Sequence, residues 1–236
     1  MAWARTVRAK RGTVRRENRQ RRCATTWAIC LLVLVYAVVG QAQKRGVTYT
    51  VKRADSFLLA ITGKSGLFSF AGHQHAVLAT QWSAEIQLNP SELTRSSITL
   101  IIPVSSLVID STDARSKAGL GSGPSAGDVQ TIQQRMFSPE VLDARRYPQI
   151  RFVSTAVEAV GADRLRVTGT LEMHGHSRPV TVPIRYEHTE SGGVRFSGDF
   201  TIRQTEWGMK PETVAGGTVK VKDEVTIRVQ VVVVAQ

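Results

Sequence analysis

From Val47 almost to the last residue, apolar and polar side chains alternate with a period of two, and this pattern commits most of the chain to sheet. In "WSAEIQLN", Trp82, Ala84, Ile86 and Leu88 share one face, and Ser83, Glu85 and Gln87 share the other. "DRLRVTGTLEM" sets Leu165, Val167, Leu171 and Met173 against Arg166, Thr168, Thr170 and Glu172. "VRFSGDFTIR" does the same with Phe196, Phe200 and Ile202, and "DEVTIRVQVVVVA" with Val225, Ile227, Val229, Val231 and Val233. Successive side chains of a strand point to opposite faces, so such segments are antiparallel strands with one wet face and one buried face. Turn-forming residues separate them at "NPSE", "VGAD" and "ESGG", the last reading as a hairpin turn before "VRFSGDF".

One stretch departs from this pattern. "DVQTIQQRMFSPEVLDARRYPQI" spaces Val129, Ile132 and Met136 at helical intervals. Ser138 followed by Pro139 is an N-cap with proline at the first helical position, which predicts a short helix over 139–145. Tyr147-Pro148 then returns the chain to the strand "QIRFVST", and "SKAGLGSGPSAGD" at 116–128 reads as a flexible tract. The expected fold is all-β: an antiparallel barrel of about eight strands with one short helical insertion. Closure leaves no strand edge exposed, and an eight-stranded barrel has an interior just wide enough for its own side chains or for one slender ligand. The inward set by parity is Phe68, Phe70, Trp82, Ile86, Phe152, Leu171, Met173, Phe196 and Phe200. Pattern alone leaves both a filled core and a hollow lumen open.

The net charge of +12 suggests nucleic acid until the charges are located. Residues 1–42 carry nine Lys/Arg against Glu17, a local +8, which leaves +4 scattered over the rest. No basic face interleaved with aromatic residues follows, so nucleic-acid binding is not expected. The basic stretch ends at Arg22, an apolar run covers Trp27–Gly40, and Gly40 and Ala42 stand three and one residues before Gln43. This describes an export signal. The rival is an uncleaved anchor contacting the membrane through residues 24–40, since a spanning helix needs ~20 apolar residues. Either way, residues 43–236 are expected as one exported, periplasm-type domain. Both cysteines, Cys23 and Cys30, lie in the leading segment, so disulfides and thiol chemistry are excluded from the body.

"ARRYPQIRFVSTAVEAVGADRLRVTGTLEMHGHSRPVTVPI" resembles the central signature of the YceI-like family, with Tyr147-Pro148, Ile150, Phe152, Gly169, Leu171, His174-Gly175 and Pro179-Val180 in its positions. Trp207-Gly208 and Asp223-Glu224-Val225 are similar to the family's closing strand pair, so the resemblance covers about residues 47–234. Asp55-Ser56 stands where the family commonly has His-Ser, and the 116–128 tract is longer than usual. The resemblance implies an exported lipocalin-like barrel that is not an enzyme. Its hydrophobic tunnel would take a long-chain lipid such as a polyisoprenoid, a quinone or a fatty-acyl chain, with no cofactor, and Trp207 would stand near the opening.

Four of the five histidines form two His-x-His triplets, His73/His75 and His174/His176. As a metal site they would offer four imidazole nitrogens, the alternative function being a periplasmic metal-binding protein. Catalysis would need a nucleophile with its base, and neither a cysteine nor a serine elbow is present in the body. The structural reading makes His174-Gly175 a strand-end turn whose histidine bonds the backbone. His73 or His75 at a tunnel mouth would cap a ligand's polar head.

Overall fold

A computed structural model describes residues 47–65, 74–89, 92–211, 213–214 and 219–235. The alternating segments become the strands β1 (Val47–Val51), β2 (Phe57–Ser65), β3 (His75–Ala79), β4 (Ser83–Leu88), β5 (Ser97–Pro103) and β6 (Leu107–Ile109). They continue as β7 (Gln149–Ala159), β8 (Arg164–Met173), β9 (His176–His188), β10 (Val194–Arg203), β11 (Thr213–Val214) and β12 (Val219–Ala235). Neighbours run β1-β4-β5-β7-β8-β9-β10-β12, and β12 pairs back onto β1 through Tyr49–Ala235, so eight antiparallel strands close a barrel as expected. The short β11 lies outside this ring and pairs with β12 alone.

The closing strand is long because it serves two partners on one side. Residues 220–230 of β12 pair with β2, residues 233–235 pair with β1, and β10 lines its other edge from Arg203–Glu224 to Val194–Val233. The first three barrel strands are therefore broken in two, as β1/β2, β3/β4 and β5/β6. One-turn 3-10 segments at Arg53–Asp55 and Val104–Ser106 make two of the breaks. One half of each, β2, β3 and β6, extends the barrel wall at one end in the order β12-β2-β3-β6.

Two helices, rather than one, occupy that end. α1 (Thr112–Ala118) starts on Ser111, whose Oγ accepts the Ala114 amide, and stops at Gly119 in the left-handed conformation (φ 72°). α2 (Ala126–Met136) starts on Ser125, capped in the same way by the Asp128 amide. The tract expected to be flexible thus contains the end of one helix and the start of the next. The helix expected over 139–145 is instead a run of turns. The Leu142 amide bonds back to the Met136 carbonyl, and Asp143 turns the chain at φ 40°. Leu142 is buried in the main core, and the Asp143 and Ala144 amides reach back to the Ser138 and Phe137 carbonyls in place of a helical ladder.

α1 exists to cover sheet. It packs Ala114 onto the outward side chains Leu59, Ala76 and Leu78 of β2 and β3, making a small second core. α2 closes an edge: β7 pairs with β5 but not with β6, and Gln133 supplies what a strand would have supplied there. Its Oε1 accepts the Ile109 amide at 2.9 Å, and its Nε2 donates to the Leu107 carbonyl at 2.8 Å.

Candidate functional site

The barrel is hollow. A cavity of about 870 Å³ runs through it, walled almost throughout by apolar side chains. Residues in mid-barrel such as Leu100, Phe152, Phe200, Ile227 and Val229 point inward, yet are only half-buried, because they border open space rather than one another. A filled core would have buried them completely.

Seven of the expected wall residues line this space: Trp82 and Ile86 flanking and within β4, Phe152 on β7, Leu171 and Met173 on β8, and Phe196 and Phe200 on β10. Parity places them, and one glycine makes room for them. A Cβ on Gly169 would come within 2.5 Å of the Phe152 ring and of the Val153 carbonyl oxygen. Phe68, Phe70 and His73 lie outside the described residues. Trp207 is a correction. It is 1% exposed, does not line the cavity, and donates its indole N–H to the Leu171 carbonyl at 3.2 Å. It packs the wall from behind, because the 3-10 turn Gln204–Trp207 carries it into the main core.

The wall also includes residues beyond those expected from parity. Ile227, Val229 and Val231 of β12 line the lumen, and their alternation marks them as one face. Leu100 and Ile102 of β5 do so as well, but "SITLIIP" is too uniformly apolar for its faces to be told apart. Ile132 and Met136 add the helical contribution of α2.

The far end is lined by buried side chains. Val157, Leu165 and Val182 pack there with Leu93, Ile98 and Tyr186, and the Tyr186 hydroxyl donates to the Ala162 carbonyl at 2.8 Å. Among the described residues the other end is open, since Asp128, Thr131 and Arg135 of α2 line the cavity and are also exposed to solvent. The polar lining gathers at this mouth, where Thr62 and His75 join them.

His75 begins β3 and shares its inward face with Val77 and Ala79. Its Nδ1 lies 2.6 Å from Oδ2 of Asp110, whose side chain is fully buried. Asp110 follows β6 at φ 51° and also accepts the Ala76 amide at 3.0 Å and the Arg115 guanidinium at 2.7 Å. Burial pushes the Asp110 carboxyl up, but the hydrogen bonds from His75, Ala76 and Arg115 outweigh it and hold the group below its ordinary value.

The other histidine pair is occupied with structure. His174 (φ 49°) and Gly175 (φ 73°) form a two-residue hairpin between paired Met173 and His176, in which both central residues need the left-handed region. Both His174 ring nitrogens face backbone carbonyls, Trp207 at 2.8 Å and Pro139 at 3.2 Å, and Nδ1 of His176 bonds the His174 carbonyl at 2.9 Å. Among the described residues no group of three or more His, Cys, Asp or Glu could hold a metal ion. Nor is any helix among them long and apolar enough to cross a membrane; residues 24–40 lie outside that set.

Known proteins of similar sequence and shape agree with this architecture. A UPF0312 protein of Pseudomonas putida (strain GB-1) is 37% identical over 78 residues, and one of Pseudomonas syringae pv. syringae (strain B728a) is 35% identical over 78. These matches span 31% of this chain and 41% of the length of those relatives. The crystal structure of Burkholderia cenocepacia BcnA superposes with a TM-score of 0.58 at 22% identity, covering 78% of this chain and 99% of that one. A polyisoprenoid binding domain from Saccharophagus degradans gives 0.52 at 12% identity, covering 80% and 99%. Both likenesses are of fold. Residues 41–233 match the model of the YceI-like domain, and the chain belongs to that family.

Proposed function

We propose that the protein is a non-enzymatic carrier that sequesters a long-chain amphiphile, a polyisoprenoid, quinone or fatty-acyl lipid, inside the barrel. The observation that carries this reading is the lumen itself: about 870 Å³, apolar in its depth and, among the described residues, polar only at one end. At about 30 Å³ per heavy atom, the share a water molecule takes in the liquid, it has room for roughly 25–30 atoms. Ligand sites of this size usually pair a greasy wall with a few placed polar groups. The wall we assign to contact is Trp82, Ile86, Phe152, Leu171, Met173, Phe196 and Phe200.

The mechanism is burial. Each CH₂ taken from water is worth roughly 0.8 kcal/mol, so about ten carbons offer some 8 kcal/mol before ordering costs. Such a site selects for slimness and length more than for identity. The polyisoprenoid binding named for the Saccharophagus degradans domain supports the same ligand class by analogy of fold. Export of residues 43–236 belongs to the same proposal, resting on the basic-then-apolar leader at 1–42.

Mass spectrometry of an organic extract from natively purified protein is expected to return a long-chain lipid near one per chain. An extract without lipid, together with failure of the stripped protein to take up any neutral long-chain probe, overturns the carrier. N-terminal sequencing after cell fractionation tests the leader: a mature chain beginning near Gln43 outside the cytoplasm is expected, and an intact cytoplasmic chain refutes export.

A further inference from the structure

We propose that His75, held by Asp110, is the headgroup site of the barrel, and that it takes an un-ionised hydroxyl which donates a hydrogen bond to its Nε2, as in a long-chain alcohol or a phenol. This rests on the carrier reading, because the chain behind the hydroxyl must occupy the lumen.

The charge on Asp110 fixes where the His75 proton sits. Its buried carboxylate can only accept, and it receives the Ala76 amide, Arg115 and His75. The His75 Nδ1 therefore carries the proton and donates, which in the neutral ring leaves Nε2 as a lone-pair acceptor. Among the described residues no side chain or backbone group bonds that nitrogen, while the ring lines the cavity. The backbone fixes the ring in place as well. The His75 amide donates to Thr62 Oγ1 at 3.3 Å, and the Asp110 that anchors the ring is tied to the Ala76 amide one residue on.

The rest of the mouth argues against an anion. Arg115 is already spent on Asp110 at 2.7 Å, and on the Gln74, Gly121 and Ser122 carbonyls. α2 contributes one acid, Asp128, and one base, Arg135, to the same mouth, so it adds no net positive charge there. An aprotic carbonyl head would present its own lone pairs to that of Nε2. A hydroxyl is the small head that matches an acceptor at the end of an apolar channel.

The pair would also exist if Asp110 merely tied α1 and β3 together, so the test must read something that a structural tie would leave unchanged. Lipid-stripped full-length protein is titrated with hexadecanol, its methyl ether and hexadecanoate, each displacing a fluorescent long-chain probe. One net hydrogen bond predicts that the unaltered protein holds the alcohol roughly twofold to tenfold tighter than the ether. His75→Phe keeps a ring but removes the acceptor, and is expected to bring that ratio to about one while ether binding stays within about twofold. His75→Gln, which can still donate to Asp110 and offer an oxygen, is expected to restore part of the preference. Equal binding of alcohol and ether by the unaltered protein, an unchanged ratio in His75→Phe, or a preference for hexadecanoate overturns the headgroup site while leaving the carrier standing. Binding of none of the three overturns both.

Discussion

Placing a carboxylate in mid-lumen separates a hollow barrel from a packed one, and Phe200→Glu does so at a well-defined point. Phe200 stands opposite Ile227 on the β10–β12 ladder, lines the cavity, and contacts both of the clusters that meet at mid-barrel. In a filled core the substitution would bury a charge without a partner, at a cost of several kcal/mol, and the protein would unfold. In a lumen open beside α2, the carboxylate is hydrated while no ligand is present, and the fold survives. The cost moves to binding, because an apolar chain must displace that water. The cheapest route is for the introduced carboxylate to take up a proton. From an ordinary glutamate pKa of about 4.3, protonation at pH 7 costs about 3.7 kcal/mol, or roughly 500-fold in affinity. Leaving the carboxyl group unpaired against the chain adds about 1–3 kcal/mol more. At pH 5 the protonation cost falls to about 1 kcal/mol, so the variant is expected to regain roughly 100-fold in affinity. The assay is displacement of a fluorescent probe by hexadecyl methyl ether, which does not titrate, at both pH values, with circular dichroism to follow folding. Loss of fold at both pH values, or a weakened affinity that fails to recover at pH 5, refutes the hollow-lumen argument.

Other consequences are local. Asp110, held below its ordinary range, contributes stability that is present above the unfolded value of about 3.9 and is lost as pH falls through its lower folded value. The stability gap between the unaltered protein and Asp110→Asn in urea should therefore shrink as pH drops from about 5 to 2, and a gap that is constant with pH contradicts the assignment. Gly169→Ala should destabilise by about 1–3 kcal/mol in thermal or urea unfolding. Combining it with Phe152→Ala should relieve only part of this, since the Val153 carbonyl lies 2.5 Å from the added carbon just as the ring does. Gln133→Leu strands the Ile109 N–H and the Leu107 carbonyl at the β6 edge, for a loss of about 1–3 kcal/mol. Hydrogen exchange at Ile109 should accelerate while exchange in β8 stays unchanged; uniform acceleration would mean that α2 does not act as the local edge cap.

What could be read from the sequence follows from how each face of each strand is solvated. Where one face is wet, as in β8 and β10, alternation alone places Leu171, Met173, Phe196 and Phe200 on the inward side. Where both faces are covered, the contrast disappears. "HAVLA" reads as apolar on either side of His75 because Val77 and Ala79 face the lumen while Ala76 and Leu78 lie under α1. His75 could not be oriented from its own neighbours for that reason, and its partner Asp110 lies 35 residues away, brought close only by the β3–β6 pairing of Val77 with Ile109. Trp207 failed differently: a large amphipathic ring at a barrel end reads equally well as lining or as buttress, and its bond to the Leu171 carbonyl decides for buttress. The hollowness itself has no local signature. The same alternating strands would fill a narrower barrel, and the radius depends on strand number and stagger, which are set by register between segments far apart in the chain. The β5–β7 pairing ends at Pro103–Gln149, and beside β6 it is α2 rather than another strand that bonds the free edge. A helix seals such an edge less completely than a hydrogen-bonded ladder, which is why the polar mouth, His75 included, lies where the barrel pattern breaks down.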